Sequence, residues 1–332
     1  MNNVSLNNVL DVTLRDGGYL NSWNFSIGEV DATLSFLDSL GLRWVEVGFL
    51  RSPKKMTSLV NGCPLSFLRD LHNRYRNIHL VGMLNPADGD WRSAVMGKLS
   101  YISLIRMPCT SELVESALEI ARDLKIQARN IKISLNLICV SSYSCDEIGD
   151  LLKRIIRSPD IDIIYFADSR GALYPDDVEK IIMLGKKLCD SPLGFHAHDT
   201  LGNALENANR AFACGCEWID ATFNGFGLAG GNLSLENYLA RNALLPNKGG
   251  VTEMQVADFV SRSLPLEHPS MVERNVLKLL ANKNIDPIWS DQLQEKYQQD
   301  LGAYIGKLSW DYYKNIDDVF CPKTSTAGAS WE

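Results

Sequence analysis

Two histidines flank a single alanine in Phe195-His196-Ala197-His198-Asp199, at the end of a short apolar run. Along a strand, residues i and i+2 face the same way, so both imidazoles point to one side. A pair of that kind suits a divalent cation. The chain has 332 residues and only 5 His; His72, His79 and His268 have no such setting and read as structural or exposed. A second polar group, Thr13-Leu14-Arg15-Asp16-Gly17-Gly18-Tyr19, follows another apolar run. Asp16 can complete a two-His, one-carboxylate face that leaves about three positions for water and substrate. Glu46 lies inside the run Trp44–Phe49 and needs a partner if buried, for which Arg15 is the natural candidate. Asp168 and Ser169 end a further run and read either as substrate-orienting groups or as a turn. Asn224 to Asn232 holds four glycines, which allow close backbone approach, but no Lys or Arg to support a phosphate cradle. Asn232 can offer a carbonyl oxygen to a metal or cap a helix over Leu233–Leu244. Cys109 and Cys139 also end runs, and small buried cysteines are common there. Cys214 and Cys216 lie at the opposite, helix-to-strand end.

These residues need a scaffold that gathers strand ends. Eight apolar runs recur along the chain: Val9–Leu14, Trp44–Phe49, Ile78–Leu84, Tyr101–Met107, Ile131–Ile138, Ile161–Ala167, Gly194–His198 and Trp218–Phe223. Each is short and rich in β-branched or aromatic residues, as for strands buried on both faces. Helix-like stretches separate them, among them Val30–Leu40, Ser111–Leu124 with Ser111 as its cap, Pro175–Leu188 and Asn203–Cys214. Eight strand–helix units predict an α/β fold of the (β/α)8 TIM-barrel type, with the site at the C-terminal ends of the strands. An open doubly wound sheet would carry a glycine-rich phosphate loop after the first strand, and none is there. The barrel is expected over residues 1–248 and a helical C-terminal extension over 249–322. Pro246–Gly250 would be the linker and 323–332 a frayed tail.

Composition narrows the function. With 33 Lys+Arg against 40 Asp+Glu, the net charge is −7, which argues against a general nucleic-acid or anionic-membrane surface. No apolar run approaches the roughly 18–20 residues of a membrane span. The first residues lack the pattern of a signal peptide. The 8 Cys show no paired spacing, so neither a zinc finger nor a disulfide framework is indicated. The expectation is a soluble cytoplasmic protein with reduced thiols.

Four ordered motifs carry a family resemblance: Asp11-Val-Thr-Leu-Arg-Asp-Gly17, Ile164-Tyr-Phe-Ala-Asp-Ser-Arg-Gly171, His196-Ala-His-Asp-Thr-Leu-Gly202 and Gly230-Gly-Asn-Leu-Ser-Leu-Glu236. Arg106 and the following Cys109-Thr-Ser-Glu112 also look similar. Together they resemble the pyruvate-aldolase branch of the DRE-TIM metallolyases, the branch of the 4-hydroxy-2-oxovalerate aldolases, over residues 9–245. The resemblance implies a carbon–carbon lyase in which Asp16, His196, His198 and, as in some members, Asn232 hold a divalent metal, Mn²⁺ or Mg²⁺ ahead of Zn²⁺ or Co²⁺. It implies that Arg15 stabilises an enolate, that Ser169 and Asp168 help hold a 2-oxo acid, and that Glu46 completes the Asp-Arg-Glu set. The position four residues after Arg15 is His in those aldolases and Gln in many acyl-CoA members; here it is Tyr19, whose phenol can donate or accept a proton, with a metal-bound hydroxide as the alternative base. A tyrosine from the helical extension closes the site in the aldolases, with Tyr297, Tyr304, Tyr312 and Tyr313 as candidates. The extension would pair two copies of the chain or dock an aldehyde dehydrogenase. Claisen-type chemistry on an acyl-CoA, or a non-catalytic barrel subunit, are the alternative readings.

Overall fold

The computed structural model describes residues 5–244 and 253–322. The apolar runs become eight strands: β1 (Val9–Asp11), β2 (Trp44–Phe49), β3 (His79–Met83), β4 (Leu104–Cys109), β5 (Lys132–Leu137), β6 (Ile163–Asp168), β7 (Leu193–Ala197) and β8 (Trp218–Ala221). Each pairs in parallel with the next, and β1 pairs with β8, so the sheet closes into a (β/α)8 barrel. One helix follows each strand: α1 (Ile27–Leu40), α2 (Leu65–Arg74), α3 (Trp91–Val95), α4 (Val114–Gln127), α5 (Cys145–Ile155), α6 (Pro175–Leu188), α7 (Ala204–Ala213) and α8 (Leu235–Arg241). Outward strand side chains such as Val45, Ile105 and Phe195 pack with helix residues such as Leu34, Ile120 and Ile182 in one continuous core. The lower interior is filled separately by Leu10, Val12, Val81, Leu104, Ile163, Tyr165 and Trp218. Gly194 makes that filling possible, because a Cβ there would stand 2.5 Å from the Tyr165 ring.

Several boundaries differ from the sequence reading, each for a local reason. The first strand stops at Asp11 rather than Leu14. Asp11 accepts from the Thr13 amide (3.1 Å) and hydroxyl (2.8 Å), a side-chain turn that ends the strand and starts one helical turn, Thr13–Asp16. Arg15 and Asp16 therefore project from a helical turn over the barrel mouth. The fourth strand lies further on than Tyr101–Met107 and reaches Cys109. Ser111 caps nothing: its hydroxyl donates to Glu112, and α4 starts at Val114. Helix α1 starts at Ile27, set by a capping box between Ser26 and Glu29. Helix α8 is capped by Ser234, which leaves the Asn232 side chain out of the cap.

The C-terminal part is helical: α9 (Glu253–Ser263), α10 (Met271–Ala281), α11 (Ser290–Tyr297), α12 (Leu301–Gly306) and α13 (Ile316–Phe320). Val256, Val260, Leu264 and Leu266, in and just after α9, join the barrel core. Leu280, Ile285, Leu293, Leu301, Ile305 and Val319 form a core of their own. Buried polar contacts latch this second core to the barrel. The Arg170 guanidinium donates to the carbonyls of Asn284 and Tyr313, and the Asn284 amide donates to the Ser141 carbonyl (2.7 Å). The expected linker Pro246–Gly250, the boundary at 248/249 and the tail 323–332 lie outside the described residues. No helix among the described residues is long and apolar enough to cross a membrane.

Burial pushes the Asp11 carboxyl up to about 7, against the lowering effect of its two Thr13 hydrogen bonds. The folded state then keeps a proton that the unfolded chain releases near pH 4. That stabilisation is complete below about pH 4 and is lost as pH rises through about 7, by on the order of 4 kcal/mol. The Tm of an Asp11→Asn variant should therefore gain on wild type steadily between pH 4.5 and 7.5. A constant difference would place the Asp11 carboxyl at its ordinary value.

Candidate active site

Inward alternation on the strands brings six charged or titratable side chains to the upper interior. Glu46 stands on β2, Arg106 on β4, His196 on β7 and Asp220 on β8; Arg15 and Asp16 come down from their helical turn. All are at most 6% exposed. They form a closed circuit. Asp16 is paired with Arg15, whose Nε donates to Glu46 Oε2 at 2.7 Å. Glu46 Oε2 also accepts from Arg106 Nη1 at 3.1 Å. Arg106 Nη2 donates to Asp220 Oδ2, which accepts from His196 Nδ1 at 3.0 Å. His196 Nε2 lies 3.5 Å from Asp16 Oδ2, so the ring closes in space with a lone pair rather than a proton between them. The Arg106 guanidinium rests on the Tyr165 ring, 4.4 Å from its centroid. With its amide turned to donate to Ser134, Asn136 accepts from Arg106 Nη2 (2.8 Å) and Nε (3.1 Å). Burial works against the charge on Asp16, yet the Arg15 guanidinium holds it well below the usual carboxylate range. Arg106 likewise holds Asp220 low.

Asp16, His196 and His198 present one ligand atom each, all within 4.8 Å of one another. The tautomers follow from what surrounds them. His198 Nδ1 faces the Leu228 carbonyl at 3.1 Å, which can only accept, so Nδ1 carries the proton. His196 Nδ1 faces the Asp220 carboxylate in the same way. Both Nε2 lone pairs then meet at 3.2 Å, an arrangement that repels unless a cation lies between them. Two donors placed side by side on an octahedral ion at about 2.1 Å stand about 3 Å apart. Burial draws His198 down to about 4, which keeps its imidazole neutral and able to ligate. Asn232 Oδ1 is buried with no hydrogen-bond partner, as an oxygen ligand in waiting would be. The donor set fits a divalent cation.

The glycine-rich segment after β8 closes over this set. The Leu228 amide donates to Asp16 Oδ1 at 3.2 Å, while its carbonyl holds His198. Asn232 pairs with His198 across an isolated bridge. Gly227 permits the approach, since a Cβ there would stand 2.1 Å from Asn232 Nδ2 and 2.9 Å from Asp16 Oδ1.

Other expected residues are placed differently. Asp168 spends both carboxylate oxygens on the backbone amides of Ala172 and Leu173, each at 3.1 Å; that is the turn of the two readings left open. Ser169 Oγ accepts from the Cys139 amide at 3.0 Å, and so ties the β5 and β6 loops together. Tyr19 is 40% exposed and packs edge-on against Trp23; partial burial raises its phenol above the ordinary tyrosine range. Tyr297 and Tyr304 stack on each other, and Tyr313 donates to the Ser309 carbonyl inside the extension. Tyr312 packs against Trp310. Burial pushes the Cys109 thiol up to about 12 and Cys139 up to about 11, which makes both poor nucleophiles. Asp220 was missed. Its signal was the one that marked Glu46, an acid inside an apolar strand.

Isothermal titration of Mn²⁺ checks the centre. Asp16→Ala and His196→Ala should lose binding. Asp220→Asn should weaken it by about 10- to 100-fold, because the partner that orients His196 is gone. Circular dichroism confirms that each variant keeps the barrel. Unchanged affinity in His196→Ala contradicts the assignment.

The site has relatives. A 4-hydroxy-2-oxovalerate aldolase of Thermus thermophilus is 26% identical over 235 residues, which span 69% of this chain and 66% of that protein. An oxaloacetate decarboxylase of Mycobacterium tuberculosis is 25% identical over 70% of this chain and 68% of its own length. Among solved structures, the N-terminal domain of a candidate aldolase from Bacteroides vulgatus superposes with a TM-score of 0.75 at 25% identity, covering 89% of this chain and 99% of that one. The profile of the HMGL-like family matches residues 91–259, which run from α3 through β8 and into α9. That is half of the chain and includes both histidines of the donor set: the chain belongs to the HMGL-like family.

Proposed function

We propose that this chain is a divalent-metal-dependent aldolase of the cytoplasm. It would cleave or form a 4-hydroxy-2-oxo acid, with pyruvate or a related 2-oxo acid and an aldehyde on the other side of the equilibrium. The observation that carries this reading is the convergence of three ligand atoms within 4.8 Å beside a buried guanidinium. Asp16, His196 and His198 would hold the cation, with Asn232 as a fourth donor. When bound, Mn²⁺ or Mg²⁺ supplies Lewis acidity toward the keto oxygen of the substrate. Arg15 then stabilises the negative charge that develops on that oxygen as the C3–C4 bond breaks or forms. Glu46 and Asp16 hold its fork in place, so little reorganisation is needed. Ser169 lies on the same face and would meet the carboxylate of the oxo acid. Asp168 acts through the loop, by fixing the turn that presents Ser169. A phenol raised by burial is a poor base but a retained proton donor, so Tyr19 would serve as the acid that protonates the alkoxide in the synthetic direction. Pairing with a second copy or with an aldehyde dehydrogenase would use the extension, where Met271 and Val272 are each 69% exposed.

Decarboxylation of oxaloacetate is a second reading. It is supported by the mycobacterial relative, and by a site in which Tyr19 makes no described contact with the metal-facing set. That reaction passes through the same enolate but needs no base at a 4-hydroxyl.

Coupled assay of pyruvate release with Mn²⁺ tests both. Cleavage of a 4-hydroxy-2-oxo acid should vanish with EDTA and return with Mn²⁺. Arg15→Lys should lower kcat by about 10²-fold or more with little change in KM. Pyruvate from oxaloacetate alone, with no 4-hydroxy-2-oxo acid cleaved, favours the decarboxylase. Activity indifferent to EDTA overturns the metal-dependent reading.

A further inference from the structure

Arg51 follows β2 at the catalytic end of the barrel and has no carboxylate partner among the described residues. Its Nε is buried without a hydrogen-bond acceptor. The other half-buried arginines among the described residues are engaged: Arg154 with Glu115, Arg43 with Asp38 and Arg210 with Glu179. Arg51 instead rests on an aromatic ring, its guanidinium carbon 4.9 Å from the Phe49 centroid. The strand pattern puts that ring at the mouth. Val81 fills the barrel interior, so Met83, two residues on, faces inward as well. Phe49 pairs with Met83 across a register shift in β2, and each is only 6% exposed. From Phe49 the aromatic contacts run to Trp23 (5.4 Å) and on to Tyr19 (4.6 Å). The Trp23 indole donates to the Arg15 carbonyl at 2.7 Å. Arg51 thus stands on the Tyr19 side of the site, one ring ladder away from Arg15.

The backbone beneath it is fixed. The Lys98 ammonium, buried under the loop, donates to the Arg51 carbonyl (3.2 Å) and the Gly62 carbonyl (3.0 Å). The Leu50 amide donates to Met83 at 2.7 Å. The same loop continues to the exposed Lys54 and to Lys55, which reaches Asp88. Lys55 is ion-paired with the Asp88 carboxylate at 3.3 Å, so it is Arg51 and Lys54 that lend this lip positive charge although the chain as a whole is acidic. A guanidinium left without a counter-ion on a rigid loop costs stability that an incoming anion can restore.

We infer that Arg51 anchors a second anionic group, a carboxylate or phosphate borne by the acceptor aldehyde, so that the preferred acceptor is anionic. The inference rests on the aldolase reading and deepens it. In the synthetic direction the bond formed joins C3 of the 2-oxo acid to the aldehyde carbon. The C3 proton passes to solvent and the aldehyde oxygen gains one, so no oxidant or reductant takes part. Arg51 meets only the far end of the acceptor and acts as a specificity-determining residue. Its guanidinium can take either anion in a fork.

The test compares kcat/KM for two matched pairs with pyruvate and Mn²⁺: succinic semialdehyde against butanal, and glyceraldehyde 3-phosphate against glyceraldehyde. Wild type should favour the anionic member of at least one pair by tenfold or more, and the pair that responds tells carboxylate from phosphate. Arg51→Met should bring that ratio to about one, and Arg51→Lys should restore part of it. A ratio near one in wild type, or a ratio that Arg51→Met leaves intact, overturns the inference. Two further readouts separate it from the functional reading. Wild-type exchange of the pyruvate methyl protons for deuterium, with no aldehyde present, reports the enolate step; its absence overturns the aldolase reading and the acceptor assignment with it. Calorimetric binding of succinate and of inorganic phosphate, without turnover, reports the anion site itself. Binding that is equal in wild type and Arg51→Met removes Arg51 from that role.

Discussion

A closed circuit of charge inside the barrel governs the rest of this structure. Asp16, Arg15, Glu46, Arg106, Asp220 and His196 each touch the next, and all are buried. Isolated charges in that space would be prohibitive, and removal of one partner from a buried pair costs about 3–5 kcal/mol. Linked in this order, each carboxylate and each guanidinium has an opposite neighbour, and His196 gives its Nδ1 proton to Asp220. The circuit also leaves three donor atoms unspent, the Nε2 atoms of His196 and His198 and an oxygen of Asp16, all turned to one point. The arrangement that offsets burial is the same one that prepares the site.

The parts that sit above this circuit have few choices. The segment after β8 must bring the Leu228 backbone onto both Asp16 and His198, which requires a residue with no side chain at Gly227. The one-turn helix Thr13–Asp16 needs the Asp11 turn to launch it, and Asp11 keeps its proton because it is sealed away from water. The C-terminal helices join through Arg170, the residue after Ser169, so the loop that follows β6 also carries the latch to the extension. Arg51 is the exception in this economy. It is a cation for which the circuit provides no anion.

Much of this was legible in the sequence because it is local. The His-x-His spacing, the Arg-Asp pair and the eight alternating runs depend on near neighbours and on strand geometry. The pairing of Arg15 with Glu46 was legible because a buried acid in β2 demanded a cation. The link from Arg106 through Asp220 to His196 was not, since it joins β4, β8 and β7 and shows only when the barrel closes. Element ends were misread where a side chain rather than the backbone decides: Asp11 shortens β1, Ser26 lengthens α1, and Ser234 takes the cap that Asn232 was a candidate for. The aromatic residues of the extension misled in another way. Tyr297, Tyr304 and Tyr313 serve a second small core, where their stacking and carbonyl contacts are internal. A tyrosine that fills a core and one that closes a site look alike in composition.

The central claim is that the circuit aims three donors at one cation beside Arg15. Anomalous diffraction at the manganese edge, from crystals soaked with Mn²⁺ and pyruvate, tests it most directly. One strong peak is expected, bound by Asp16, His196 and His198, with the pyruvate oxygens completing its shell toward Arg15. A peak elsewhere on the barrel, or none at saturating Mn²⁺, would contradict it.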